Sequence, residues 1–160
     1  MRQEDPYLYY VTKQSWTTNN NHKVFLVEHI ETQVKNVMKV SPIGSLKRET
    51  VKPGENAVLL ALGDSENIIN VRDIYIWEGR IYTIIDYMEG KELTHVIQEY
   101  GNHYSESFIK YSIYMVACGL ADMHAQGILH RDIKSDNVLC SSDGDIKLAD
   151  MDISVFLTEE

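Results

Sequence analysis

Cysteine is scarce. The 160 residues hold two, Cys118 and Cys140, with no CxxC pair and no disulfide-rich pattern. A disulfide-built scaffold is thereby excluded, and a reducing, cytoplasmic setting is the expected location. Long apolar runs are missing too, so no segment reaches the length of a membrane span. The opening MRQEDPYLYY does not have the make-up of a signal peptide. Basic residues are outnumbered, 15 Lys+Arg against 24 Asp+Glu, for a formal charge of −9. A nucleic acid or an anionic membrane would ask for a basic face, so neither is an expected partner, whereas a basic peptide suits this balance. Internal repeats and heptads are absent, and the tract TTNNN from Thr17 to Asn21 comes nearest to low complexity. What is present, 44% hydrophobic and 24% charged residues, is the make-up of one globular unit with a core.

The first third reads as strands. Tyr7–Lys13 is aromatic and β-branched, TTNNNHK is turn-like, Val24–Ile30 is a second strand and Val34–Val40 a third. Ser41–Lys52 is a linker with a basic patch at Lys47 and Arg48. After Pro53 and Gly54, ENAVLLAL predicts a short buried helix. Val71–Trp77 and Ile81–Tyr87 follow as strands joined by a turn at Glu78-Gly79-Arg80. From Leu93 the period turns helical. Ser105 is placed to cap a helix with apolar positions Phe108, Ile109, Ile113, Val116, Leu120 and Met123, ending at Gly127. Asp143-Gly144 marks a late hairpin between short strands. The order is that of an α+β protein.

The stretch His130–Leu139 reads HRDIKSDNVL, and thirteen residues after Asn137 comes Asp150 in LADMD. An Asp or Asn alone in a loop is ordinarily a turn or cap residue. Five fixed residue types at fixed offsets, with an Asp at the right distance, are not. This string resembles the catalytic loop H-R-D-x-K-x-x-N of the protein kinases, followed by a variant D-F-G. Lys134 is the form found in Ser/Thr kinases, and the wording is most similar to the sterile-twenty and p21-activated group. The resemblance implies a fold with a five-stranded antiparallel small lobe and one helix over residues 1–88. The start of a helical large lobe would occupy 89–160, left incomplete. It implies ATP and Mg²⁺ as cofactors and a protein Ser/Thr hydroxyl as substrate. Asp132 would accept or orient the hydroxyl proton, and Lys134 would touch the transferring phosphate. Asn137 and Asp150 would offer hard oxygens to Mg²⁺. Arg131 would anchor a phosphorylated activation loop.

The earlier strands fit the same resemblance. Lys39 in NVMK stands where the family has its phosphate-holding lysine, and Val24 lies at the family's interval before it. An ungapped count back from Asn67 puts the lysine's helical partner at Asn56, a one-residue insertion in GDSEN restores Glu55, and Glu49 is the fallback. Glu55 is preferred because it suits the apolar rhythm of ENAVLLAL. IYTIIDYMEGKEL is similar to the fifth strand and hinge. Ile85 would guard the back pocket, and Asp86, Tyr87 and Met88 would offer backbone groups to adenine. Val24, Val37 and Leu139 would sandwich the base, with Val37 where the family prefers Ala.

Three departures stand beside these matches. The glycine-rich loop of the family falls on Thr17 to His22, where no glycine occurs. Asp152 replaces the last residue of D-F-G. The sequence ends at Glu160, before the family's A-P-E, so the expectation is a fragment, with Thr158 read first as a surface threonine and second as a phosphosite of a longer chain. A Ser/Thr kinase is the first reading; the first two departures motivate an alternative, a pseudokinase or regulatory binding module.

Overall fold

Alternating apolar residues in the first part of the chain build one antiparallel sheet in the computed structural model, which describes residues 1–17, 23–43, 54–100 and 103–157. Positions 18–22 of the asparagine-rich loop, the linker with Lys47, Arg48 and Glu49, and Thr158 lie outside the described residues. Two compact units emerge, one of Met1–Val51 with Asn70–Tyr87, the other of Lys52–Ile69 with Met88–Glu160. The helix of ENAVLLAL groups with the second unit.

In the first unit the strands are β1 (Tyr10–Thr17), β2 (Lys23–His29), β3 (Lys35–Pro42), β4 (Val71–Trp77) and β5 (Arg80–Asp86). Their order is β1-β2-β3-β5-β4, and every pairing is antiparallel. Trp77 pairs with Arg80 across a two-residue loop in which Glu78 and Gly79 both have positive φ, at 45° and 71°. That is the tight turn whose twist matches the strands it joins. The expected strand at Tyr7–Lys13 is displaced. Pro6–Leu8 forms a 3-10 turn, capped by the Asp5 side chain accepting from the Tyr7 N–H, and β1 starts at Tyr10. Asp before Pro is a helix-start signal, and it overrides the strand preference of the tyrosines.

Period-two alternation sorts the sheet's two faces. One face gathers the buried cluster Tyr10, Val27, Met38, Val40, Tyr75, Tyr82 and Ile84, with Tyr9 and Phe25 packed on it. Each such aliphatic or aromatic side chain contributes on the order of 1.5–3 kcal/mol by leaving water.

The second unit carries α1 (Glu55–Leu62), α2 (Leu93–Tyr100) and α3 (Glu106–Ala125). It also holds the short strands β6 (Ile128–Leu129), β7 (Val138–Cys140), β8 (Ile146–Leu148) and β9 (Val155–Phe156). β6 pairs with β9 and β7 with β8. The Ser105 hydroxyl accepts from the Phe108 N–H at 3.1 Å at the start of α3. Gly127, at φ +66°, follows the C-cap Gln126 and donates to the His124 carbonyl. The packed stripe of α3 is rotated from the expected one. Ser112, Gly119 and Met123 are buried, while Ile109 and Ile113 are 49% and 65% exposed. The reason is close approach. A Cβ on Gly119 would stand 2.9 Å from the Leu148 side chain and 3.0 Å from the Asn67 carbonyl, so small residues face the strand. The same Asn67 carbonyl accepts from the Leu148 N–H at 2.8 Å, and Ile69 N–H donates to the Leu148 carbonyl. β8 is thereby paired with the 67–69 segment as well as with β7.

Candidate active site

In the first unit the register brings the expected nucleotide-contacting residues onto one face. Lys39 lies opposite Val24 on β2 and Thr83 on β5, and Val37 lies opposite Leu26 and Ile85. Directly opposed residues share a face, and Lys39 and Val37 are two apart on β3, so Val24, Val37, Lys39 and Ile85 look the same way, opposite to the Met38 cluster. Ile85 is buried; Val24, Val37 and Lys39 are half-buried. At the end of β5 the Asn36 amide donates to the Ile85 carbonyl at 3.4 Å, and the Asp86 N–H donates to the Asn70 carbonyl at 3.1 Å. Arg72 forms an ion pair with the Asp86 carboxylate. Tyr87 ends this unit, and Met88 belongs to the other.

In the second unit the loop after β6 has no regular ladder of its own, so its backbone must be satisfied by side chains. His130 does much of this. Its Nδ1 accepts from the Asp132 N–H at 3.2 Å, which leaves the proton on Nε2 to donate to the Ala149 carbonyl at 3.1 Å. The ring is buried, and the Ser154 hydroxyl donates to the His130 carbonyl. His130 is thus a strut between the loop and the segment carrying Asp150. Arg131, at φ +69°, donates through its guanidinium to the Ile153 carbonyl, at 2.6 Å from Nε. Asp150 also has positive φ, at 66°. Such backbone in L-residues costs about 1–3 kcal/mol and persists where surroundings hold it.

Asp132 is the focus of the polar contacts. Its Oδ2 accepts from the Lys134 ammonium at 2.7 Å and from the Asn137 amide at 2.9 Å. Asn137 Nδ2 also donates to the Asp132 carbonyl at 2.9 Å. The Lys134 and Asn137 hydrogen bonds hold the Asp132 carboxyl below its ordinary range, and Asp132 in turn raises the Lys134 ammonium. With Nδ2 committed to Asp132, the remaining ligand atom of Asn137 is its side-chain oxygen. The Asn137 carbonyl accepts from the Ala149 N–H at 2.9 Å, which fixes the start of LADMD against the loop. Asp150 follows directly. Its carboxylate, that of Asp152 and that of Glu55 at the head of α1 lie within 4.8 Å of one another. Met151 between the two aspartates is fully buried and receives the Ser154 hydroxyl on its sulfur.

Amide and carboxylate oxygens such as those of Asn137 and Asp150 are of the hard type that a divalent cation like magnesium accepts, and the carboxylates brought together are Glu55, Asp150 and Asp152. Leu139, on β7, is half-buried and lies opposite Lys147. The grouping of Glu55 with Asp150 and Asp152 was not legible in the sequence. Nothing in the local string LADMD signals that the head of a helix ninety-odd residues earlier stands against it. The loop-supporting role of Ser154 was equally hidden, and only its burial reveals it.

Comparison with known proteins places this arrangement. Over 107 residues the chain is 39% identical to the serine/threonine-protein kinase STE20 of Saccharomyces cerevisiae, covering 65% of this chain and 11% of that protein. Over 94 residues it is 42% identical to the serine/threonine-protein kinase pakA of Talaromyces marneffei, covering 58% of this chain and 14% of that one. The chain therefore spans a small part of the length of these relatives. A chain in the structure of the CAK complex from Chaetomium thermophilum bound to ATP-γ-S has the same fold, with a TM-score of 0.81 at 22% identity. The match covers 94% of this chain and 49% of that one. Among the described residues no helix is long and apolar enough to cross a membrane. The family described as protein kinase domain matches residues 20–160, which take in the whole of the loop built around Asp132, and the chain belongs to that family.

Proposed function

We propose that this chain holds ATP and Mg²⁺ and directs transfer of the γ-phosphoryl group to a Ser or Thr hydroxyl of a protein substrate. The observation that carries the reading is the geometry at Asp132, whose Oδ2 is engaged by both Lys134 and Asn137. Its other oxygen, Oδ1, is then the one to face the substrate hydroxyl. Because the carboxyl is held below its ordinary range, it is ionised at neutral pH and is a weak base. It therefore orients the hydroxyl and receives the proton late, as the oxygen becomes acidic on bonding to phosphorus. Lys134 neutralises the anion and offers its ammonium to the transferring group. Asn137 and Asp150 are the proposed metal ligands. A divalent cation held by these two residues would supply positive charge against the phosphates. Lys39 is the proposed phosphate contact in the first unit, with Glu55 as its partner. Val24, Val37, Ile85, the backbone of Asp86, Tyr87 and Met88, and Leu139 are the proposed adenine contacts. In this reading residues 1–88 correspond to the small lobe through the hinge and 89–160 to the beginning of the large one. The setting is cytoplasmic.

The test is transfer of labelled γ-phosphate from Mg·ATP to a basic protein. Asp132→Asn should lower the rate by about 10²–10⁴. Equal rates in the two proteins would end the proposal.

A second reading, a kinase-like binding module without transfer, is favoured by one observation. Asp152 replaces the family's glycine and sets a third carboxylate within 4.8 Å of those of Asp150 and Glu55. Thermal-shift titration read beside the transfer assay separates the two. Stabilisation grows with ligand concentration over Kd, so Mg·ATP raises Tm if nucleotide is held and leaves it unmoved otherwise. Tm shift without transfer would mark the binding module.

A further inference from the structure

Residues 1–9 precede the stretch matched by the family, 20–160, yet they make a dense set of contacts on the outer edge of the sheet. β4 is the last strand on its side. An edge strand offers a row of unpaired N–H and C=O groups to any extended chain. Arg2 takes that place as a parallel partner of Tyr75. Its N–H donates to the Ile74 carbonyl at 2.9 Å, and its carbonyl accepts from the Ile76 N–H at 2.8 Å.

Backbone pairing alone would accept any residue. The side-chain surroundings would not. The Arg2 guanidinium lies 3.2 Å from the Asp73 carboxylate and donates to the Tyr75 hydroxyl at 3.5 Å. That hydroxyl itself donates to the same Asp73 oxygen at 3.2 Å, which turns it toward the carboxylate. The guanidinium carbon stands 5.7 Å from the Tyr9 ring centre and 5.6 Å from that of Tyr75. The two rings are themselves stacked, 5.8 Å apart. A planar cation that stacks and forks at once is what such a clamp selects; an ammonium satisfies only the charge. Glu4 takes the Tyr9 hydroxyl at 2.7 Å and Asp5 caps the following 3-10 turn, so the segment's return to the sheet is fixed.

We infer that the outer edge of β4, with Asp73, Tyr75 and Tyr9, is a recognition site for an extended arginine-bearing strand. Its occupant is the segment around Arg2, which adds in cis as an extended strand and is selected by its guanidinium. This goes beyond phosphoryl transfer and stands whether or not the chain transfers phosphate.

Amide hydrogen exchange on the whole chain is the first test. The Ile76 N–H should exchange slowly in the unsubstituted protein and at least about tenfold faster in Arg2→Glu. The Met38 and Ile84 amides, in the sheet interior, should stay protected. The second test adds a synthetic peptide of residues 1–5, which carries Arg2 and leaves Tyr9 in the chain, to the Arg2→Glu chain. Its binding should move the Ile74, Tyr75 and Ile76 amide signals, and a peptide with Lys in place of the Arg should bind about tenfold more weakly. Should Arg2→Glu lose protection throughout the sheet, Asp73→Asn is read in the same way. Ile76 exchange unchanged in a folded variant, or Arg and Lys peptides binding alike, would overturn the inference.

Discussion

The sheet of the first unit and the catalytic loop of the second solve the same problem by opposite means. In the sheet, β3 is satisfied on both sides by its neighbours, so its side chains are free to be either core or site. Met38 belongs to the core, while Lys39 and Val37 lie on the other face. In the loop, residues 130–137 have no strand beside most of them, and side chains take over the backbone's partners. His130 bridges the Asp132 N–H and the Ala149 carbonyl, and Asn137 accepts from Ala149 and donates to Asp132. Stability in the sheet is spread over many apolar contacts. In the loop it is concentrated in a few polar ones, which also set the chemistry. Four non-glycine residues among those described have positive φ, and two of them, Arg131 and Asp150, belong to this region.

That contrast can be broken at its strongest point first. Met38→Ala removes a fully buried side chain and should cost about 2–5 kcal/mol of unfolding free energy, read by denaturant titration. A change within error would mean that the sheet's core is not where its cohesion lies. His130→Ala comes next. It orphans the Asp132 N–H and the Ala149 carbonyl, so about 1–3 kcal/mol is expected, with rapid exchange of the Asp132 amide as the local signature. Loss of protection in β3 instead would contradict the separation drawn here. Ser105→Ala, at the cap of α3, should cost about 1 kcal/mol in a thermal or denaturant melt.

The smallest effect concerns charge. Asp132 is held below the ordinary carboxylate range by Lys134 and then Asn137. A lowered folded-state value adds stability above the unfolded carboxylate pKa, and this is lost as pH falls through the folded one. The Asp132 carboxyl signal in a pH titration should therefore turn at a pH below that of an ordinary aspartate. Lys134→Ala should move it back upward, and an unmoved midpoint would remove the lysine from the account.

Much of the architecture was legible. Val71–Trp77 is a strand with the bounds expected of it, and β2, β3 and β5 differ from expectation by a residue or two at their ends. Ser105 and Gly127 mark the helix between them as capping chemistry requires. HRDIKSDN identified the loop because its His130, Arg131, Asp132, Lys134 and Asn137 each make a side-chain contact now visible. The misses share a cause. Tyr7–Leu8 lost its strand to a cap at Asp5, the α3 stripe turned toward Ser112 and Gly119, and Arg2 joined the β4 edge. Each depends on a partner far away in sequence or on space that no local pattern records.

The sequence by itself determined the period of each element, its caps and the family of its catalytic string, because those follow from neighbours within a few residues. Only the tertiary structure decided which oxygen of Asp132 is engaged, that Glu55 stands beside Asp150 and Asp152, and that an arginine closes the sheet's edge. Those are matters of packing between distant segments. Close packing and hydrogen-bond satisfaction fix them only once the chain has folded.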